Sequence, residues 1–562
     1  MYHLLSSTLL LLAMVQANAW VVDSTRNSVD PCIGYWELSY QHPSLEKADS
    51  LYDVERFTEA LLLYQSAAEK FERQQDWEGL LKARNRVADC YRFTTTLKDS
   101  AYSILKGNLV IIEEHFNNDP YEIAEVHFIL GICYDWGNQK EKALEEFNKS
   151  VAIRNELYDE KHVDVVRGYK FIGDMFAWDK RNLNAVEYLT KAADIAATLE
   201  CKNSSLIGET YYSLASVARG LRDLEKAGIY GLKSLSLFEN DPFSRSRSYN
   251  LIANINEHKN QFEQSIRYNT LAINLLQKQQ PLDYSQQQNL ANYLHSLANV
   301  NMQTRRYDSA HLYYQQSLQI YNKLQNQNEV LLLYQNIGVN YYLLGRHDSA
   351  NYYLSKAVRL GKQINGEKHF ATSASLLEQG SYYQQVGQLD SALHYYQQAI
   401  VAATGPDYHN YQPDTNPARE SFTFDDNGSL LNALYLKGSV LRKIYLQDQD
   451  QGVLELSLET LLLALELMDV NQELYQLEGS TLFMAEENYS VFEGALSVCY
   501  NLYQLTESQE YLETAFFIIE KSKARLLFDT FYDLQQSRMV GIPDSLIQAE
   551  NVIKSRLASF SR

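Results

Sequence analysis

The feature that most constrains this chain is its self-similarity. A small residue is followed by a bulky one three positions on, and then by Ala or Ser twelve and nineteen positions on. Gly131, Tyr134, Ala143 and Ser150 show the pattern, as do Gly173, Phe176, Ala185 and Ala192. Gly338, Tyr341, Ala350 and Ala357 repeat it, and so do Gly380, Tyr383, Ala392 and Ala399. Weaker copies run through Ala48, Ala60 and Ala67, through Ala215, Ala227 and Ser234, through Ala253, Ser265 and Ala272, and through Ala298, Ala310 and Ser317. A ninth copy, around Ala88 and Ala101, carries a one-residue insertion. Repetition at such a period means stacked supersecondary units. The physical content of the pattern is close helix packing, because small residues let two backbones approach and bulky neighbours fill the grooves beside them. Each antiparallel pair buries its apolar face only against the next pair, so the array has to be long to be stable.

Composition agrees with helices. Apolar residues make up 45% and charged residues 21%, which excludes disorder, and 24 Gly and 9 Pro are too few for the turns of a sheet protein of 562 residues. The 42 Tyr suit packed helices, where a ring fills a groove and its hydroxyl reaches a polar partner. The marker positions resemble the tetratricopeptide motif over roughly residues 40 to 403, with a unit of about forty residues, longer than the usual thirty-four. Long units of this kind are similar to those of kinesin light chain and of bacterial sensor and protease-linked proteins. The expected fold is all-α, a right-handed superhelix of tetratricopeptide-type helical hairpins.

The periodicity fails between Thr404 and Gly428, where Pro406, Pro413 and Pro417 cannot continue a helix and mark a loop or linker. Helical spacing resumes at Leu430 and continues through Gly438–Tyr445, Val453–Met468, Ala485–Leu505 and Tyr511–Tyr532. The expected organisation is an array over 20–403, a Pro-containing loop over 404–428, divergent helical repeats over 429–540 and a linker helix over 541–562. Within Ala515–Phe528, AFFIIEKSKARLLF, the residues Phe516, Ile519, Ala524 and Leu527 are expected on one apolar face, with Glu520, Lys521, Lys523 and Arg525 off it. By residue type alone this is an ordinary amphipathic helix.

Ala515, Phe516, Glu520, Ser522, Lys523, Ala524, Arg525, Leu526 and Leu527 together resemble the junction in bacterial proteins whose tetratricopeptide array precedes a CHAT domain, a caspase-like peptidase domain. The resemblance implies an interaction or sensor half joined to a peptidase that would begin beyond Arg562, with no catalytic residue carried into this chain. Its alternative is a truncated portion of a caspase-like cysteine peptidase, active only with its catalytic domain.

An apolar run from Leu4 to Val15 followed by Ala17, Asn18 and Ala19 reads as an export signal over residues 1–19, cleaved after Ala19, although Met1, Tyr2 and His3 supply no basic residue. The run is too short to span a bilayer, and a periplasmic or secreted protein without membrane insertion is expected. Cys32, Cys90, Cys133, Cys201 and Cys499 are odd in number and widely spaced, which fits neither a disulfide framework nor a zinc site. They read as small buried residues on helices. A net charge of −20 without a basic stripe argues against nucleic acid. It reads either as a solvated surface or as a groove for basic peptides.

Candidate chemistry is sparse. His115, His162, His258, His295 and His409 are scattered, Glu113 and Glu114 point to different helix faces, and no phosphate-cradling loop occurs. No cofactor, metal or catalytic residue is expected. First-helix positions three before and one after the small residue supply Asn250, Asn254, His295 and Asn299, with Arg247, His258, Asn292 and Gln303 on the same face. Amide and imidazole side chains can bond an extended peptide backbone, so these eight form a candidate groove for a protein or peptide partner. A hydrated polar surface is the alternative.

Overall fold

The computed structural model describes residues 42–53, 56–93, 98–158, 161–199, 205–279, 281–405, 407–419, 427–478 and 485–523. The export-signal segment, Cys32, Cys201, Ala524 to Leu527 and the linker helix over 541–562 lie outside them. Among the described residues every regular element is a helix. In chain order these are α1 (Glu46–Asp53), α2 (Phe57–Gln74), α3 (Trp77–Tyr91), α4 (Lys98–His115), α5 (Pro120–Trp136), α6 (Lys140–Tyr158), α7 (Val163–Trp178) and α8 (Asn182–Thr198). There follow α9 (Ser205–Gly220), α10 (Leu224–Leu237), α11 (Pro242–His258), α12 (Phe262–Gln277), α13 (Tyr284–Gln303), α14 (Tyr307–Lys323), α15 (Gln327–Leu343), α16 (His347–Asn365), α17 (Phe370–Gln385) and α18 (Leu389–Ala403). After a loop come α19 (Asn427–Asp448), α20 (Gln451–Glu478), α21 (Ala485–Thr506) and a helix over 509–523, called α22. Odd- and even-numbered neighbours from α1 to α18 are the first and second helices of nine hairpins, in phase with the repeat. Two compact units divide the chain: unit 1 covers 1–175 and 188–210, unit 2 covers 176–187 and 211–562.

In four of the nine hairpins the small residue is a glycine lying against the second helix. A Cβ built on Gly131, Gly173, Gly338 or Gly380 would come within 2.6–2.7 Å of the side chain of Phe147, Leu189, Leu354 or Tyr396, in each case the residue sixteen positions on. A methyl group cannot occupy that space, so the spacing fixes how the second helix lies on the first. The hairpin of α19 and α20 uses the same device with longer arms, since a Cβ on Gly438 would meet Leu461 at 2.6 Å, twenty-three residues on.

The turn between the two helices is also uniform. Seven residues after the small residue stands one in the left-handed region: Asn138, Lys180, Arg222, Asn260, Arg305, Gly345 and Gly387, with φ between 57° and 79°. The next residue returns its N–H to a carbonyl five positions back, at 2.8–2.9 Å in all seven turns, from Gln139 N to Tyr134 O through Gln388 N to Tyr383 O. That bond satisfies a helix-end carbonyl and lets the chain reverse within two residues. Only Gly345 and Gly387 use the residue type that enters this region without steric cost.

The loop after α18 is tied down over 407–419. Lys437 on α19 is fully buried, and its ammonium donates to Gln397 Oε1 (2.9 Å), Asn416 Oδ1 (3.0 Å) and the Thr415 carbonyl (2.5 Å). Burial lowers its pKa to about 7, opposed by Asp414 and Glu459. Gln397 also donates to Asn410 O at 2.8 Å, and Lys368 donates to the carbonyls of Gly405 and Tyr408. The Pro-containing segment is thus an ordered strap. One apolar core continues beneath it from Leu376 and Tyr396 through Leu434, Leu461 and Phe492 to Ile518.

The last described helix corrects the sequence reading. Ile518 is the buried residue of α22, with Tyr511 and Ala515 packed beside it, whereas Phe516 and Phe517 are 65% and 59% exposed and Ile519 is exposed as well. The stripe therefore runs through 511, 515 and 518, one step out of phase with the face expected from Phe516 and Ile519. Lys521, expected off that face, reaches back to Asp469 Oδ2 (2.5 Å) on α20.

Candidate functional site

The eight residues of the candidate groove lie on α11 and α13, first helices of unit 2. Asp241 caps α11 by accepting from the N–H groups of Phe243 and Ser244, and Asp283 with Gln286 forms a capping box on α13. These caps fix where each helix starts and so which residues share a face.

Seven of the eight keep some exposure, and each is held by a partner. Asn250 Nδ2 donates to Asn269 Oδ1 at 2.8 Å, and Asn254 Nδ2 lies 3.4 Å from Asn250 Oδ1. Tyr314 donates to Asn299 Oδ1 at 2.6 Å and Tyr321 to Asn292 Oδ1 at 2.5 Å. Gln303 donates to Glu257 Oε1 at 2.5 Å, Arg219 Nη1 stands 3.5 Å from His258 Nε2, and the Arg247 guanidinium lies 4.5 Å from the centre of the Tyr212 ring. Because the tyrosines engage only the Oδ1 atoms of Asn292 and Asn299, the Nδ2 donors of both remain for another acceptor.

His295 is placed differently from the expectation. It is 9% exposed, and burial lowers its pKa to about 4. The ring is therefore neutral at pH 7, and its Nε2 accepts from Asn336 Nδ2 on α15 at 2.7 Å. It links one first helix to the next and does not line an open face.

The electrostatics are muted. Burial raises the Glu257 carboxyl, which Gln303 and Arg219 oppose, and burial lowers Arg219. Burial, then Arg219 and Arg222, lowers His258. Burial also pushes up the Tyr314 and Tyr321 hydroxyls, so they act as donors and not as bases. The three described cysteines are buried and unpaired. Their thiols are pushed up by burial, to about 12 for Cys90 and Cys133 and about 11 for Cys499, which disfavours the nucleophilic thiolate. Among the described residues no group of three His, Cys, Asp or Glu could hold a metal ion, and no helix is long and apolar enough to cross a membrane.

Sequence reasoning missed the partners. The readable signal is a tyrosine sixteen positions after the small residue, whose hydroxyl donates to the side chain one position after it: Tyr64 to Asp49 (2.5 Å), Tyr314 to Asn299 (2.6 Å) and Tyr396 to Ser381 (3.4 Å). The second helix thus supports the groove position of the first from behind.

Tetratricopeptide-repeat family models match residues 290–324 and 328–403. These two segments are tetratricopeptide repeats. They correspond to α13–α14 and α15–α18. No curated protein sequence matches the chain. Among solved structures, the apo form of RapI is 16% identical and covers 64% of this chain and 96% of its own, with a TM-score of 0.49. Aspartyl phosphate phosphatase F from Bacillus subtilis is 14% identical over 64% of this chain and 93% of its own, with a TM-score of 0.42. The apo form of the quorum sensor NprR from B. thuringiensis is 12% identical over 63% and 98%, with a TM-score of 0.44.

Proposed function

We propose that this chain is an exported binding module, and that first-helix amides of unit 2 hold an extended segment of a polypeptide partner. The observation that carries the reading is the support given to Asn292 and Asn299, seven residues apart on one face of α13. Tyr321 and Tyr314 fix their Oδ1 atoms and leave two Nδ2 donors in place. Donors fixed before binding lose little side-chain entropy on meeting a peptide carbonyl. Asn254 supplies a further amide on the neighbouring first helix.

Export is part of the same proposal, supported by the apolar run to Val15 and by Ala17-Asn18-Ala19. The resemblance of Ala515 to Leu527 to the CHAT junction supports a sensor role beside a caspase-like peptidase. Sequence beyond Arg562 in the source genome, read for an in-frame His and Cys region, separates this from a part of the peptidase itself.

The groove is tested by recovering partners from periplasmic extract on the purified mature chain, with and without Asn254→Ala and Asn299→Ala together. Loss of a specific partner in the double variant is expected, and unchanged recovery removes the groove from the reading. Mass spectrometry of the periplasmic protein should show a mature end at Trp20.

A further inference from the structure

Away from the asparagine face, unit 2 contains a cleft of about 760 Å³ between the second helices α14 and α16 and the opening turns of α15. This is within the size range of ligand pockets. Its walls carry three kinds of chemistry. Lys356 and Arg359, one turn apart on α16, are its cations. Tyr321 and Tyr334 are its rings, with Val330 and Leu360 as apolar surface between them, and amides from both sides complete the lining.

The cations are what a ligand of this cleft would meet. Neither Lys356 nor Arg359 has a carboxylate within ion-pair distance, whereas Lys259 and Arg306 of the same unit reach Glu225 and Glu263. Lys356 Nζ instead lies 4.4 Å from the centre of the Tyr334 ring and 5.8 Å from that of Tyr352. Its interaction with Tyr334 outweighs burial and keeps it protonated. Glu329 is the acid on the opening turn of α15 and acts on Tyr321, but it does not line the cleft, and burial raises its pKa. A concavity with two unpaired cations and aromatic walls selects its ligand by charge.

We propose that this cleft is a second binding site, taking an acidic peptide segment whose side-chain carboxylates meet Lys356 and Arg359 while an apolar side chain lies against Val330 and Leu360. The site stands independently of the asparagine face, although the Tyr321 ring that walls it belongs to the residue whose hydroxyl supports Asn292.

The test uses a fluorescein-labelled peptide, acetylated and amidated at its ends, in which a leucine stands between two glutamates, and its glutamine counterpart. Fluorescence anisotropy with the full mature chain should show the acidic peptide binding about tenfold or more tightly than the neutral one, and weakening as salt rises from about 50 to about 300 mM. Lys356→Ala with Arg359→Ala should weaken it about tenfold, with an unchanged circular dichroism spectrum, while Lys356→Arg keeps most of the affinity. Asn254→Ala with Asn299→Ala should leave it unchanged. Equal affinity for both peptides, undiminished binding by the Lys356 and Arg359 variant, dependence on the asparagine pair, or binding of neither peptide overturns the proposal.

Discussion

Units 1 and 2 build the same hairpin but fasten it with different polar chemistry. Around α5 to α7 of unit 1 the interior fasteners are charged. Glu125 on α5 is fully buried and takes Arg154 Nη2 at 2.6 Å and Arg167 Nη1 at 2.9 Å, with the Arg167 guanidinium 3.9 Å from the centre of the Phe128 ring. His127 and Lys149 meet Glu146 at 2.6 and 2.9 Å. From α11 to α18 of unit 2 the layer is neutral: Asn250 to Asn269, Gln335 to Ser375, Gln379 to Asn351 and the tyrosine–asparagine pairs of α13 and α14. The turn and the glycine contact set the backbone geometry, and the polar layer can then be varied. Buried charges raise the cost of breaking a hairpin apart, whereas amides leave donors that a ligand can share.

The contrast breaks most directly at Glu125. Glu125→Ala takes the shared carboxylate away from the buried Arg154 and the partly buried Arg167, and a loss of about 3–5 kcal/mol is expected, read as collapsed hydrogen-exchange protection in α5 to α7. If protection falls by less than about 1 kcal/mol, the charges of unit 1 are not its fasteners.

Acid separates the units next. The pKa of His295 is lowered from 6.5 to about 4 in the fold, so the unfolded chain binds its proton first as pH falls. Its contribution is complete above 6.5 and declines between 6.5 and 4, by up to about 3 kcal/mol in α13 and α15. For Glu146 burial opposes ionisation, but His127 and Lys149 outweigh it and hold the carboxyl below the ordinary glutamate value of 4.5. That contribution is present above 4.5 and declines only as pH falls through the lowered value. Protection factors at pH 5 should therefore drop around α13 and not around α6, and His295→Gln should flatten the response.

A smaller difference compares two tyrosines at one register position. Tyr64→Phe removes a hydrogen bond to charged Asp49, which Arg86 also approaches at 3.5 Å, and should cost about 1.5–3 kcal/mol. Tyr314→Phe removes one to neutral Asn299 and should cost about 0.5–1.5 kcal/mol, measured by urea denaturation. Equal costs would erase the contrast.

The smallest effect should be common to both units. Asn138→Gly in unit 1 and Arg305→Gly in unit 2 relieve a left-handed residue at the same turn position and should each stabilise by a few tenths of a kcal/mol, while Gly345→Ala should cost about 1. A gain confined to one unit would show that the turns are not equivalent.

The hairpins were legible because their phase is set by side-chain volume, which a sequence displays directly. The polar layer was only partly so, because partners such as Asn336 for His295 come from a helix forty-one residues away, and register between hairpins is not written in either helix alone. His295 thus read as a groove residue although α15 covers it. The strap over 407–419 was marked by its prolines, but its anchoring was signalled only by Lys437 among Leu434, Tyr435 and Leu436, a charge that an apolar helix would not otherwise hold. The face of α22 was misjudged by one residue because its phase was extended through Ala524 and Leu527, beyond the described residues.

The three marks that define a hairpin, the small residue, the left-handed turn seven positions on and the contact sixteen on, all fall inside one repeat. Unequal recombination between two copies therefore yields a chain longer or shorter by one whole hairpin with every internal contact intact. Growth by duplication leaves such a molecule foldable at each step. The hairpin of α19 and α20, whose Leu461 stands twenty-three residues from Gly438, is out of register with that exchange.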